Sequence, residues 1–141
     1  MGLATGTRQA KRLGIDSGVG IEDPARVLVV DDEPVIRELV AEALELEGYA
    51  VETAANGAEA LTKVQARAPS VIVLDLMMPV MNGWDFLNAC RAYPACAGVP
   101  VVVTSAYRRL PETAASLGVT ACVAKPFDLR VLLGAIERLI R

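Results

Sequence analysis

Short apolar segments alternate with longer amphipathic segments from Arg26 to the end of the chain. The apolar segments predict strands at about 26–30, 49–53, 70–74, 100–104 and 121–124. Such alternation is typical of βα units and a parallel sheet with helices on both faces. The first, third and fourth segments are nearly unbroken Val, Ile and Leu, as in buried strands, whereas YAVET alternates like an edge strand. The pattern therefore predicts an open sheet with strand 1 or strand 3 at its centre.

Start and stop signals predict the helices between these strands. Pro34 opens the first helix and Gly48 ends it. Its inward face is predicted to carry five apolar residues: Ile36, Leu39, Val40, Ala43 and Leu44. Asn56 followed by Glu59 is typical of a capped helix start, and that helix is predicted to run to about Ala66.

The last helix is predicted to begin after Asp128, which can cap it. Its inward residues are predicted to be Leu129, Leu132, Ile136, Leu139 and Ile140. Pro111 to Leu117 leaves room for a helix of barely two turns before the fifth strand.

The glycine-rich start of the chain differs from this pattern. Residues 1–24 contain five glycines and no sustained apolar period, which favours a flexible N-terminal arm or a remnant added for expression. Residues 25–141 are expected to form one domain, because a chain of 141 residues is short for two. The last helix ends the chain, so we expect a stand-alone domain without an effector domain.

Charge and composition exclude several classes of function. A net charge of -3 and a pI near 5.0 provide no basic field for direct nucleic-acid binding. No apolar segment suits membrane insertion or a secretory signal, so we expect a cytoplasmic protein. The three cysteines are expected to be reduced thiols. The absence of histidine excludes Ser-His-Asp and Cys-His catalysis and a phosphohistidine carrier.

Charged and hydroxyl residues follow or end the predicted strands. Asp31 and Asp32 follow strand 1, Asp75 follows strand 3, Thr104 ends strand 4 and Lys125 follows strand 5. In open α/β sheets the carboxyl ends of neighbouring strands form the ligand-binding edge, so these side chains can converge there. Crowded carboxylates repel one another and favour a hard cation such as Mg²⁺. The pattern predicts a combined metal and phosphate site.

Each of these residues also has an ordinary structural interpretation. Asp31 or Asp32 alone is better explained as a helix cap, and Asp75 or Thr104 alone as a turn or strand-end residue. Lys125 at the end of a buried strand is harder to explain without a nearby anion. Taken together, the five positions favour the functional interpretation.

The order of these residues, with LDLMMPVMNG at 74–83 and AKPF at 124–127, resembles the receiver domains of two-component response regulators. The resemblance covers residues 26–141 and four separated motifs. It implies a flavodoxin-like, doubly wound (βα)5 fold of the α/β class. The five-stranded parallel sheet would have the order 2-1-3-4-5.

The resemblance also implies a role for each matching residue. Asp75 would accept a phosphoryl group from a histidine kinase or a histidine phosphotransfer protein. Asp31, Asp32 and Asp75 would hold Mg²⁺, together with the backbone carbonyl of Met77. Lys125 and Thr104 would contact the phosphoryl oxygens. The chain would then be a self-phosphorylating switch with slow autodephosphorylation and an unidentified downstream protein partner, and not an enzyme.

Cys122 departs from the family pattern, because receivers usually have an aromatic residue three positions before the lysine. A thiol cannot fill the volume of that ring, so we expect phosphoryl transfer to be retained and the conformational response to be smaller, or to rely on another residue such as Tyr107. Backbone amide shifts measured with and without beryllofluoride and Mg²⁺ test this expectation. A large, cooperative displacement centred on residues 107–125 would contradict it.

Three other functions are compatible with parts of the pattern. A phosphorylation-independent pseudo-receiver would use the same fold purely as an interaction module. A Mg²⁺-dependent phosphohydrolase would also form an aspartyl phosphate, but such enzymes usually carry DxD after the first strand, whereas this chain has Asp-Asp. A flavodoxin-like electron carrier needs hydroxyls and amides there, and DDEP would repel the flavin phosphate.

Overall fold

In the computed structural model of the chain, residues 24–105 and 119–140 are described. Five strands form one parallel sheet in the order β2-β1-β3-β4-β5. The strands are β1 (Arg26–Val30), β2 (Ala50–Ala54), β3 (Val71–Asp75), β4 (Val101–Ser105) and β5 (Val119–Ala124). The predicted fold class and strand order are confirmed, with β3 at the centre and the alternating strand β2 at an edge.

Helices cover both faces of this sheet. They are α1 (Pro34–Leu46), α2 (Gly57–Ala66), α3 (Gly83–Arg91), the one-turn helix α4 (Pro94–Ala97) and α5 (Leu129–Ile140). One apolar cluster contains side chains from α1 and α5, and a second contains side chains from α2 and α3. Successive residues of β1 alternate between them, with Val27 and Val29 in the first cluster and Leu28 and Val30 in the second. The central strands are therefore buried on both faces.

Local capping chemistry defines several helix ends, as predicted. The Asn56 Oδ1 atom accepts a hydrogen bond of 2.9 Å from the backbone N–H of Glu59, whose own carboxylate accepts one from the N–H of Ala55. Gly48 follows α1 with a φ of 96°, a left-handed conformation that glycine adopts without steric cost. The Asp128 carboxylate accepts a hydrogen bond from the N–H of Arg130 at the start of α5.

Two details of the predicted elements are wrong. Leu39 was predicted to face inward but is 48% exposed. The buried residues of α1 are Val40 and Leu44, one turn apart. Strand β5 begins at Val119, before the predicted start at 121. Its second residue, Thr120, lies at an irregularity in the pairing with β4. The Thr120 hydroxyl accepts a hydrogen bond of 3.1 Å from the N–H of Val101 and so supports this irregular start.

Two further predictions concern other parts of the chain. The short helix predicted over Pro111–Leu117 lies outside the described residues. So does the predicted N-terminal arm over 1–24, apart from Pro24.

The expectation of three reduced cysteines is wrong for one pair. Cys90, near the end of α3, and Cys96, in α4, form a buried disulfide with their Cα atoms 5.3 Å apart. A spacing of six residues is not a recognised motif, and the turn between two helices brings the residues together. Cys122 is a free, exposed cysteine.

Candidate functional site

The predicted acidic residues meet at the carboxyl edge of the sheet. Strands β1 and β3 are neighbours, so Asp31, which follows β1, and Asp75, which ends β3, lie side by side. Carboxylate oxygens of Asp31, Asp32 and Asp75 all lie within 4.8 Å of one another. Asp31 and Asp75 are each only 4% exposed, and Asp32 is half-buried. This arrangement concentrates negative charge in a mostly buried position.

Lys125 supplies a positive charge to the same cluster. Its backbone N–H continues the β5 pairing by donating a hydrogen bond of 2.7 Å to the carbonyl of Ser105, and its peptide bond to Pro126 is cis. The Nζ atom lies 3.3 Å from Asp31 Oδ2 and 3.3 Å from Asp75 Oδ2. The ammonium therefore bridges carboxylates from two different strands.

Each buried carboxylate uses its two oxygens differently. Asp31 Oδ1 accepts a hydrogen bond of 2.9 Å from the N–H of Glu33, and Asp75 Oδ1 accepts one of 3.1 Å from the N–H of Met77. The Oδ2 atoms of both residues face Lys125. The turns after β1 and β3 thus orient the carboxylates toward the lysine.

Burial and charge change the proton affinity of two of these groups. Burial raises the pKa of Asp75 from 3.8 to about 6, and Asp31 adds to the rise, while the Met77 N–H and Lys125 oppose it. Burial by itself would lower the pKa of Lys125, but the charges of Asp31 and Asp75 outweigh it and raise that pKa. The lysine stays charged, yet one ammonium does not balance three carboxylates. A further cation would stabilise the cluster.

Thr104 lies next to Asp75 on the neighbouring strand. The two residues are paired in the β3–β4 register, and Thr104 is buried. The N–H of Leu76 also donates a hydrogen bond of 3.4 Å to the Thr104 carbonyl. The structure thus brings all five predicted residues to one edge of the sheet: Asp31, Asp32, Asp75, Thr104 and Lys125. The proposed metal-ligand role of the Met77 carbonyl stays a prediction.

Gly83 brings the start of α3 against the end of β3. Its N–H donates a hydrogen bond of 2.9 Å to the Leu76 carbonyl, and a Cβ atom at this position would lie 2.7 Å from the Leu76 Cα and 2.9 Å from the Asp75 carbonyl oxygen. The glycine is therefore needed for close backbone approach next to the site.

The prediction did not include two residues that contact the cluster. Glu33 Oε1 lies 3.6 Å from Lys125 Nζ, and Arg37 donates a hydrogen bond of 2.8 Å from Nη1 to the Asp31 carbonyl. Arg37 contacts a backbone carbonyl six residues earlier, so the spacing of side chains in the sequence gave no signal for this contact. Cys122 is exposed on β5 and pairs with Val103, and its effect on switching stays a prediction.

Known proteins share this combination of fold and residues. The family model described as the response regulator receiver domain matches residues 27–137. The chain is 38% identical over 120 residues to the probable transcriptional regulatory protein TcrX of Mycobacterium tuberculosis, covering 84% of this chain and 50% of TcrX. It is 36% identical over 118 residues to the DNA-binding response regulator MtrA of Mycolicibacterium smegmatis, covering 82% of this chain and 50% of MtrA. The chain thus spans about half the length of these curated relatives.

Solved structures give the same result for the fold. The chemotaxis response regulator CheY4 of Vibrio cholerae has a TM-score of 0.77 and 38% identity, over 82% of this chain and 98% of CheY4. The response regulator TrrA of Thermotoga maritima, in complex with Mg²⁺-BeF, has a TM-score of 0.72 and 34% identity, over 82% and 98%.

The fold and the charged edge define a CheY-like α/β signalling domain. The chain belongs to the response regulator receiver domain family of two-component systems. Several relatives are named as transcriptional or DNA-binding regulators, so they do not support the prediction that direct nucleic-acid binding is absent. Among residues 24–105 and 119–140, none of the helices has the length and apolar character that a membrane span requires.

Proposed function

We propose that this chain is a phosphoryl-accepting switch that receives a phosphoryl group on Asp75. The donor would be a phosphohistidine on a histidine kinase or on a histidine phosphotransfer protein. The observation that carries the proposal is the ion pair between Lys125 and Asp75, at 3.3 Å, beside two further aspartates. A nucleophilic carboxylate, a metal-binding acidic pair and a fixed ammonium are what phosphoryl transfer to aspartate requires.

The donor set fits Mg²⁺, since this ion prefers carboxylate oxygens and retains several waters. Asp31, Asp32 and Asp75 would hold it, with the Met77 carbonyl as a further protein ligand. The related TrrA structure, a complex with Mg²⁺-BeF, supports this assignment. When bound, the ion would offset the negative charge on the phosphoryl oxygens.

Asp75, Lys125 and Thr104 would each have a separate role in the phosphoryl transfer. A carboxylate oxygen of Asp75 attacks phosphorus, the bond from phosphorus to the donor imidazole nitrogen breaks, and the imidazole keeps the electron pair and takes a proton from solvent. Lys125 contacts a phosphoryl oxygen, and the Thr104 hydroxyl donates a hydrogen bond to another. With a pKa of about 6, the Asp75 carboxyl is mostly ionised at neutral pH and able to attack.

The remaining parts of the proposal concern the setting of this reaction. We place the receiver domain at residues 25–141 and its action in the cytoplasm, where it would meet its kinase. Phosphorylation would change binding to a downstream protein. The chain would have no other catalytic activity than its own phosphorylation and slow autodephosphorylation.

Incubation with acetyl phosphate, followed by intact mass measurement, tests the proposal. In the presence of Mg²⁺ we expect the chain to gain the mass of one phosphoryl group, and with excess EDTA to gain none, because three carboxylates would repel the donor. Equal uptake with and without the metal would contradict the metal role. No uptake under either condition would favour a pseudo-receiver that acts only as an interaction module.

Steady hydrolysis of a phosphate monoester in the same buffer would instead favour a Mg²⁺-dependent phosphohydrolase. We expect no such turnover, because the first strand is followed by Asp31 and Asp32 in direct succession and the proposed nucleophile, Asp75, lies at the end of β3.

A further inference from the structure

Glu33 occupies the N-cap position of α1 but does not act as a cap. Within the described residues its side chain makes no capping hydrogen bond. N-cap positions favour Ser, Thr, Asp and Asn, whose short side chains reach the N–H groups of the first turn. The Glu33 carboxylate extends instead to Lys125, with Oε1 lying 3.6 Å from Nζ. The N-cap residue of α1 thus directs its charge toward the candidate site.

The ammonium of Lys125 is shared among three carboxylates in the described part of the chain. Its Nζ atom lies 3.3 Å from Asp31 Oδ2, 3.3 Å from Asp75 Oδ2 and 3.6 Å from Glu33 Oε1. The two aspartate side chains are buried, whereas the Glu33 side chain is 61% exposed. An exposed ion pair is screened by water and is weaker than a buried one, so Glu33 is the contact that Lys125 can exchange most readily.

The backbone of Glu33 is fixed even though its side chain is exposed. Its N–H donates a hydrogen bond of 2.9 Å to Asp31 Oδ1, and its carbonyl accepts one of 2.9 Å from the N–H of Arg37. The distance from the Glu33 Cα to the acidic cluster is therefore set by the fold. Its carboxylate adds a fourth negative charge beside the three aspartates.

We propose that Glu33 is a positioning residue that restrains Lys125 and adjusts the charge of the phosphoryl-accepting site. This inference rests on the proposed function. The Glu33 carboxylate competes with an incoming phosphoryl group for the Lys125 ammonium, and its charge repels the donor. The same negative charge attracts Mg²⁺. Removing it therefore has opposite effects on metal binding and on phosphoryl uptake.

Two substitutions separate this role from helix capping. Glu33→Gln keeps the size of the side chain and removes its charge, whereas Glu33→Ser removes the charge and supplies a better N-cap. Glu38→Gln, at an exposed position of α1, is the matched control for loss of one charge on the same helix. The readouts are the Mg²⁺ dissociation constant by calorimetry and the rate of uptake from acetyl phosphate at saturating Mg²⁺.

Both Glu33 variants are expected to bind Mg²⁺ about 2- to 5-fold more weakly and to take up phosphoryl groups about 2- to 5-fold faster, as expected for one exposed charge. Glu38→Gln should remain close to the wild type in both. An uptake rate that does not rise in the Glu33 variants would overturn the inference. Opposite changes of the uptake rate in the Ser and Gln variants, following helix stability, would also overturn it. Both outcomes leave the proposed function intact.

The magnesium titration keeps the two proposals separate. If the wild type takes up no phosphoryl group, the proposed function fails, and the Mg²⁺ affinities still decide the role of Glu33. An affinity unchanged in both Glu33 variants would overturn that role in any case.

Discussion

Replacing Asp75 with asparagine is expected to abolish phosphoryl uptake from acetyl phosphate in the presence of Mg²⁺. The amide has nearly the shape of the carboxylate, but it is not a nucleophile toward phosphorus and it removes one charged metal ligand. Asp75 is buried, and because the two side chains have nearly the same shape, the exchange leaves the packing around this position almost unchanged. Intact mass measurement should show one added phosphoryl group on the wild type and none on the variant.

Asp85→Asn is the matched control, since Asp85 is an exposed aspartate in the first turn of α3. It should be phosphorylated like the wild type. If Asp75→Asn still gains a phosphoryl group, the acceptor is another residue and the proposed function of Asp75 is wrong.

The same variant should also change how stability depends on pH when metal is removed with EDTA. The folded state holds the Asp75 proton up to a pKa of about 6, against 3.8 for the ordinary carboxyl. Between these values the folded state binds more protons than the unfolded state, so this group makes stability fall as pH rises. Asp75→Asn removes that loss, so the stability of the variant relative to the wild type should increase by about 2–3 kcal/mol from pH 4 to pH 7.

Chemical denaturation at a series of pH values measures this difference. Below pH 4 the stabilities of the two proteins should differ by a nearly constant offset. Above pH 4 the difference should grow up to about pH 6. A difference that does not grow with pH would show that burial does not raise the pKa of Asp75.

Replacing Lys125 with alanine is expected to slow phosphoryl uptake by about 100-fold or more, as does removal of a single charged or hydrogen-bonding group that stabilises a transition state. The Lys125 ammonium is already 3.3 Å from Asp75 Oδ2 and therefore needs little movement to reach a phosphoryl oxygen. The rate is measured from the change in intact mass over time at saturating Mg²⁺.

Lys63→Ala is a suitable control for the loss of an amine, because Lys63 lies on α2 and its Nζ contacts the Thr53 carbonyl. It should react at the wild-type rate. Lys125→Ala should also unfold more easily without metal, since Asp31 and Asp75 lose their shared counter-ion. A rate within a few-fold of the wild type would exclude Lys125 from the transfer.

The sequence was sufficient for most of the fold, because each prediction depended on short-range chemistry. Unbroken apolar runs indicated buried strands, and the alternating run indicated the edge strand that β2 forms. The cap at Asn56 and the left-handed Gly48 are local features, and both lie where they were predicted. Leu39 was misplaced because periodicity gives the apolar side of a helix but not the width of its contact with the sheet.

The convergence of Asp31, Asp75 and Lys125 follows from the sequence in a different way. Parallel strands share a direction, so residues that follow them meet at one edge whatever the side-chain details. Family resemblance then gave the order in which the strands lie.

Tertiary structure alone decided which atoms at that edge touch. The contact of Glu33 with Lys125 and that of Arg37 with the Asp31 carbonyl depend on how turns and side chains are oriented, and elsewhere in the fold so does the disulfide between Cys90 and Cys96. A one-dimensional pattern records the type and spacing of residues but not their rotamers, the register between strands or the angle between two helices. The sequence therefore determined the fold and the main charged residues, and packing determined how the surrounding residues restrain them.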